Sequence, residues 1–530
     1  MDFKIKIGNY DTVKCDALAL WFFKGQQPFT NNLTQLDKNL DGLLSKVMAL
    51  KDFKGEIFEM SVIYTGKEKP TKRVILIGLG EQEKFSLDKV RRITGEIGRR
   101  IQELGIEDFT IPAFDLVHQF NMPLLVRQMV EGYTLGLYRF DHYFSKKQEK
   151  KLQKISFLVN TSTQVEEVKV AIKRGLNVSE STIYARDLVN HPPNVVHPIR
   201  LVEEARKLEN LPSVKVTTWQ GKEVEDLGMG GLVHVARGSV YPATFSVIDY
   251  TPQEQAPLAT VVVIGKSVTF DSGGLSLKPA EAMMDMKGDM AGGAAVLGIL
   301  SAVTRLKLPL RVIGMLPSVE NMPSGSAYRV GDIIRMYSGK TVEIINTDAE
   351  GRLILADAMT YAQREYQPDI MIDLATLTGA CTIALGRHAI AAMSNNKELL
   401  EMLRRAGEMC NEKIVELPLW EEYAEMLKSN VADLKNLAGR EAGAITAAAF
   451  LHKFIEKDCP WVHLDVAGVS FSDVNTGYHP IGATGAGVRL IIQYLRDLIN
   501  VKQPGSEGII YSKILDYPIA IEDYSTPNPS

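Results

Sequence analysis

The stretch Asn346-Thr347-Asp348-Ala349-Glu350-Gly351-Arg352-Leu353 puts two carboxylates and a guanidinium at alternate positions. An extended or tightly turned backbone can point Asp348, Glu350 and Arg352 to one side. Two carboxylates gathered in an apolar fold lose hydration and repel each other unless a cation lies between them. A metal ion is the obvious candidate. Upstream, Lys266-Ser267-Val268-Thr269-Phe270-Asp271-Ser272-Gly273-Gly274 follows an apolar run and delivers a lysine and an aspartate. Its paired glycines allow close backbone approach to a site. Lys278 and then Asp289 come next. Asp289 directly precedes MAGGAAVLGILSAVTRL, a small-residue amphipathic helix, and taken alone reads as its cap. Taken together, Asp271, Asp289, Asp348 and Glu350 with Lys266 could hold two divalent ions about 3.5 Å apart. These segments contain no histidine. An oxygen-rich site of this kind takes Mn, Mg, Co or Zn according to supply.

The surrounding chain reads as a two-domain α/β protein. In the N-terminal α/β domain, residues 1–160, FKIKIG, ALALWFF, EMSVIYTG, RVILIGLG and KISFLVN are strand-like, with helices such as LDKVRRITGEIGRRIQELG between them. Gly78-Leu79-Gly80 lacks a third glycine or a phosphate lysine, so it reads as the turn after a buried strand. Residues 161–195 form a helical connector that ends at HPPNVVHP. His191 and His197 flank those prolines as turn residues, since no carboxylate lies nearby to complete a metal site. Over residues 196–500 the runs TFSVIDY, ATVVVIG, LRVIGML, TVEIIN, IMIDLAT and VHLDVAG alternate with helix-length segments. Such runs predict a mostly parallel sheet covered on both faces, with ligands beyond the carboxyl ends of its strands. The candidate site residues lie at those ends. Residues 501–530 are a proline- and serine-rich tail whose IIYSKIL and YPIAI patches could dock on the body or a neighbour.

The chain has 530 residues, 45% of them hydrophobic and 23% charged, the composition of a soluble globular protein too long for one core. A net charge of -4 gives no composition-level case for nucleic acid or an anionic membrane as partner. MDFKIKIGNYD lacks a secretory pattern, and no apolar run reaches the roughly 20 residues of a membrane span. The four cysteines have no paired spacing. A cytoplasmic location is expected.

The segments GKSVTFDSGG, KGDM, ENMPSG, NTDAEGRL and DLATLTGA resemble the leucyl aminopeptidase (cytosol aminopeptidase) family in order and wording. The likeness extends over roughly residues 175–500, through ARDLVNHPPN, LPLWEEY, LKSNVADLKNLAGREAGAITAAAFL and HLDVAGVS. It implies a macro-like N-terminal domain and a catalytic domain that removes N-terminal residues, leucine and other apolar ones by preference, from peptides with a free amine. It also implies that Lys266, Asp271, Asp289, Asp348 and Glu350 ligate two divalent ions, Mn or Zn with Mg or Co possible, Asp271 and Glu350 bridging. Lys266 could ligate only as the neutral amine. By the same resemblance Lys278 steadies the developing oxyanion and Arg352 holds a bicarbonate that acts as general base. The bland alternative for Arg352 is an ion pair with a carboxylate. Met286, Asn346, Ala349, Thr376, Leu377 and Gly379 are implied to bind substrate, although Met286 and Leu377 could be ordinary core. A homohexamer is implied too.

Two segments depart from the family pattern. IGATGAGVRL lacks the basic residue and proline expected after GATG, and FSDVNTGYHP is longer than expected. Because some bacterial relatives bind DNA, an architectural or regulatory role on nucleic acid is the competing expectation, with the negative charge against it. A dinuclear phosphoesterase would ordinarily bring histidine ligands.

Overall fold

In the computed structural model, residues 2–26, 31–66, 68–113, 120–147, 151–456 and 459–502 are described. Most of the tail therefore lies outside the described residues, including both of its apolar patches. The strands of the first domain are β1 (Asp2–Ile7), β2 (Ala17–Phe22), β3 (Met60–Tyr64), β4 (Arg73–Gly78), β5 (Asp108–Pro112) and β6 (Lys154–Val159). They form one sheet in the order β1-β6-β5-β2-β4-β3, parallel except for β3. Five of them are the runs read from the sequence, and β5 is an addition. Its DFTIP ends on a proline that is tolerated because it sits at the strand terminus.

Helices α1 (Leu87–Glu103) and α2 (Met122–Gly136) share a core with one face of this sheet, and α3 (Thr163–Asn190) leads onward to His191. Buried Glu131 of α2 lies between Arg91 Nε at 2.8 Å and Arg127 Nε at 2.9 Å. Burial alone would raise its pKa, but Arg91, Arg127 and Arg489 outweigh that and hold it at about 2. Arg91 also donates to the Met409 carbonyl at 2.9 Å, which ties the first domain to the second. Replacing Glu131 by Gln strands two guanidinium groups and is expected to cost about 3–5 kcal/mol in urea unfolding at neutral pH. Because the folded pKa is depressed, the contribution is complete above the ordinary value of 4.5 and fades as pH falls toward about 2. The stability difference between the two proteins should narrow over that window; a constant difference would contradict the ion-pair account.

The second domain contains β7 (Val214–Gln220), β8 (Thr244–Tyr250), β9 (Thr260–Gly265), β10 (Ser267–Asp271), β11 (Arg311–Asn321), β12 (Ile333–Arg335), β13 (Thr341–Glu343), β14 (Ile370–Ala375), β15 (Ile390–Ser394), β16 (Ile414–Glu416), β17 (Leu434–Lys435) and β18 (Trp461–Asp465). The main sheet runs β16-β15-β18-β14-β9-β11-β8-β7, with β10 added beside β11. Its centre, β18-β14-β9-β11, is parallel, while β15, β8 and β7 join by antiparallel pairing. Successive side chains serve opposite faces. Val261 and Val263 of β9 join one core with α4 (Ala291–Leu306), whereas Val262 and Ile264 join another with α5 (Gly351–Tyr366). This is why the run reads as continuously apolar.

TVEIIN is a correction to the sequence reading. Only Thr341–Glu343 are in a strand, and that strand pairs with β12 and β17 in a separate three-stranded sheet. The strand is only three residues long, Ile344 is buried beyond it but outside the ladder, and the turn toward Asp348 interrupts the run. The segment Ala280–Leu306 has the length and apolarity of a membrane span, but 89% of its most apolar 18-residue window is buried within the protein. His191 meets Phe140 and Tyr143 edge-on and His142 at a tilt, while His197 caps the next helix through the Arg200 amide. Both serve as packing and turn residues.

Candidate metal centre

The parallel strands β9, β14 and β18 end on one edge of the sheet, and the chemistry collects there. Lys266 follows β9, Asp271 ends β10, Thr376 follows β14, and Asp465 ends β18. Asp348 and Glu350 come from the turn that starts α5, with Glu350 at the helix cap where the dipole favours negative charge. All the residues singled out above for metal, catalysis or substrate line one cleft of about 420 Å³.

Two lysines interleave with the four carboxylates. Lys266 Nζ lies 2.8 Å from Asp289 and 2.9 Å from Glu350 Oε1, and donates to the Thr376 carbonyl at 3.0 Å. Lys278 Nζ lies 2.8 Å from Asp271 Oδ2 and also pairs with Asp348. Burial works against both ammonium charges, but the surrounding carboxylates prevail and raise both lysines. Burial and the neighbouring charges of Asp271 and Glu350 push Asp348 up to about 6. Asp289, fully enclosed, is also raised strongly by burial. Its carboxylate accepts from Lys266 and from Thr376 Oγ1 at 2.8 Å, and Met290, not Asp289, occupies the cap position of α4. The cap reading of Asp289 is therefore wrong.

Glycine is required where the walls touch. Gly273 and Gly274 have φ of +86° and +64°, and a Cβ on Gly273 would lie 2.9 Å from Asp348 Oδ1. A Cβ on Gly351 would lie 2.5 Å from Lys266 Cε.

Arg352 is buried and donates to the Asn436 carbonyl at 2.7 Å, while its Nε has no partner among the described residues. It forms no ion pair among the described residues, so the carboxylate salt bridge is not realised. Burial lowers it to about 10. Leu377 packs on the core as well as lining the cleft, whereas Met286 lines the cleft from the short helix Met286–Gly288. A Cβ on Gly379 would meet nothing within 4 Å, which leaves the cleft open on that side.

Several supporting residues had no clear signal in the sequence. Asn321 at the end of β11 donates to Asp271 Oδ1 at 2.9 Å and to the Thr347 carbonyl at 3.0 Å, coupling the two acidic segments. Asn436 accepts from the Ile345 amide and donates to the Asn346 carbonyl, at 2.8 and 2.7 Å. Asp465 receives the Leu377 amide and Thr378 Oγ1 and so fixes the loop after β14. Below it on β18, wholly buried His463 pairs with Asp373 at 2.6 Å. Alternation in VHLDV puts His463 and Asp465 on one face, a cue the sequence reading left unused.

Residues 183–492 match the model of the cytosol aminopeptidase family, catalytic domain, and residues 19–147 match that family's N-terminal domain. The chain belongs to the cytosol aminopeptidase family. It is 44% identical to a probable cytosol aminopeptidase of Syntrophotalea carbinolica, over 91% of this chain and 97% of that protein. A probable cytosol aminopeptidase of Roseiflexus castenholzii is also 44% identical, over 87% and 94%. Among solved structures, the bottromycin maturation enzyme BotP in complex with Mn is similar, with a TM-score of 0.81 and 33% identity, over 92% of this chain and 100% of that one. A mutant of tomato leucine aminopeptidase gives a TM-score of 0.82 at 30% identity, over 93% and 96%. Like other members of the cytosol aminopeptidase family, the protein is an aminopeptidase, a hydrolase dependent on divalent metal. Its residues fit such ions. Asp271, Asp348 and Glu350 each offer an oxygen within 4.8 Å of the others, and Glu350 Oε2 is buried without a hydrogen-bond partner among the described residues.

Proposed function

We propose that the protein removes N-terminal residues, preferring leucine and other apolar side chains, from peptides with a free amino terminus. The observation that carries this reading is the convergence of four carboxylates and two lysines in one cleft, where buried Glu350 Oε2 remains unpaired. Lys266, Asp271, Asp289, Asp348 and Glu350 would hold two ions, Mn2+ or Zn2+ with Mg2+ or Co2+ as alternatives. When bound, the ions supply an acidified water and a Lewis acid for the scissile carbonyl, and bicarbonate supplies a general base.

The chain's own groups define the rest. Lys266 can ligate only after shedding the proton that Asp289 and Glu350 now stabilise, so loading releases protons. Lys278 is the more exposed lysine, at 15%, and can donate to the carbonyl oxygen as negative charge develops there. Arg352 presents its unpaired Nε–H toward a planar oxyanion such as bicarbonate. Met286 and Leu377 give apolar contact to the substrate side chain, Asn346, Ala349 and Thr376 line its other sides, and Gly379 leaves room for it. Binding the free amine at the same centre confines cleavage to the first peptide bond. The reading also includes a cytoplasmic homohexamer, for which exposed Ile383 and Trp420 offer apolar surface to bury.

Equilibrium dialysis of metal-stripped protein against Mn2+ tests the dinuclear assignment. Two ions per subunit, with proton release in unbuffered solution, are expected; saturation at one ion would contradict it.

A further inference from the structure

A second cavity of about 650 Å³ adjoins the reaction cleft, and Arg387 and Phe471 line both. Both volumes lie in the range of about 300–1,000 Å³ usual for ligand sites. The Phe471 ring packs on the backbone of Gly288, where a Cβ would lie 2.5 Å from Cε2, so the passage starts beside Met286. The longer-than-expected FSDVNTGYHP segment starts at Phe471 and contributes Asp473 and His479 to the lining of the second cavity.

The charges in this cavity are unbalanced. Glu412 is held by Arg489 at 3.1 Å and accepts from the Gly487 amide at 2.7 Å. Asp473 is paired with Arg387 at 2.9 Å. Arg92 of α1 and Lys413 before β16 also line the cavity, and neither forms a side-chain ion pair among the described residues. The Arg92 guanidinium lies over the Phe58 ring. His479 presents a buried Nδ1 with no hydrogen-bond partner among the described residues. Burial and the nearby arginines Arg186, Arg489, Arg91 and Arg92 hold its imidazole well below the ordinary range, so it stays neutral and can share one hydrogen bond.

We propose that this cavity is a subsite for the C-terminal carboxylate of a short peptide whose amino terminus lies in the metal cleft. The inference rests on the aminopeptidase reading above. A peptide substrate is the one molecule already required in the adjoining cleft, and its far end carries a planar monoanion. Two free cations and a neutral imidazole match that charge. Short peptides that span both cavities are the substrate class this selects.

Titration of Mn2+-loaded protein with Leu-Gly peptides two to five residues long, the first bond reduced to CH2–NH, reads the subsite without turnover. Each peptide is compared as the free acid and the C-terminal amide. The acid is expected to bind about tenfold more tightly than the amide at the lengths that reach the second cavity. The dipeptide should show no such preference. The preference should vanish in the Arg92→Glu/Lys413→Glu double variant and, as a milder check on folding, in Arg92→Gln/Lys413→Gln. Equal affinity for acid and amide at every length, or a preference that survives both variants, would overturn the subsite. Leucine-p-nitroanilide turnover by the parent protein is measured separately. Loss of turnover with the acid preference intact would break the aminopeptidase reading and leave the subsite supported.

Discussion

Lys278→Ala is expected to keep two metal ions and to lower kcat about 10²–10³-fold, the usual effect of removing a donor to a developing oxyanion. Lys278 Nζ stands between Asp271 Oδ2, at 2.8 Å, and Asp348. It competes with a dication for those carboxylates, so its removal should not weaken metal binding. The side chain is also 15% exposed against 3% for Lys266, which leaves it able to meet a substrate at the cleft. If its role is in the transition state, kcat and kcat/KM fall together; a rise in KM alone would mean ground-state binding. Metal analysis beside steady-state kinetics separates these outcomes. Normal turnover by the variant would refute the role given to Lys278.

The second large effect is on metal. Asp348→Asn preserves shape but removes one charge from the trio Asp271, Asp348 and Glu350, whose ligand oxygens lie within 4.8 Å of one another. Substitutions in the outer shell of metal sites cost about 10–100-fold in affinity, and a direct ligand should cost at least the upper end. Thermal unfolding in a Mn2+ series gives the readout, because an ion that binds only the folded state raises Tm with concentration. The rise should shift to at least about 100-fold higher Mn2+ in Asp348→Asn. Asp285→Asn, which lines the same cleft outside the ligand set, should leave the rise in place. Full metal occupancy and activity in Asp348→Asn would break the ligand assignment.

Much of this site was legible because its residues sit in short segments at strand ends. GKSVTFDSGG follows the buried β9, and NTDAEGRL opens α5, so linear motifs became neighbours once the parallel sheet formed. Asp289 shows the limit of local reasoning. An aspartate before a helix looks like a cap, yet Lys266 and Thr376, which claim its carboxylate, arrive from β9 and β14. TVEIIN fails for a related reason, since an apolar run carries no label for the sheet it joins. Asn321, Asn436 and His463 were missed because single polar residues announce themselves only through distant partners. The second cavity needs Arg92 and Lys413 brought together from two domains, a juxtaposition that spacing cannot express.

The most direct test of the central claim is hydrolysis of leucine-p-nitroanilide and its N-acetylated form by metal-stripped protein, before and after adding Mn2+ or Zn2+ with bicarbonate. The account predicts p-nitroaniline release from the free-amine substrate alone, and only once metal is restored. No release under any metal from folded, metal-bound protein, or equal release from the acetylated substrate, would contradict it.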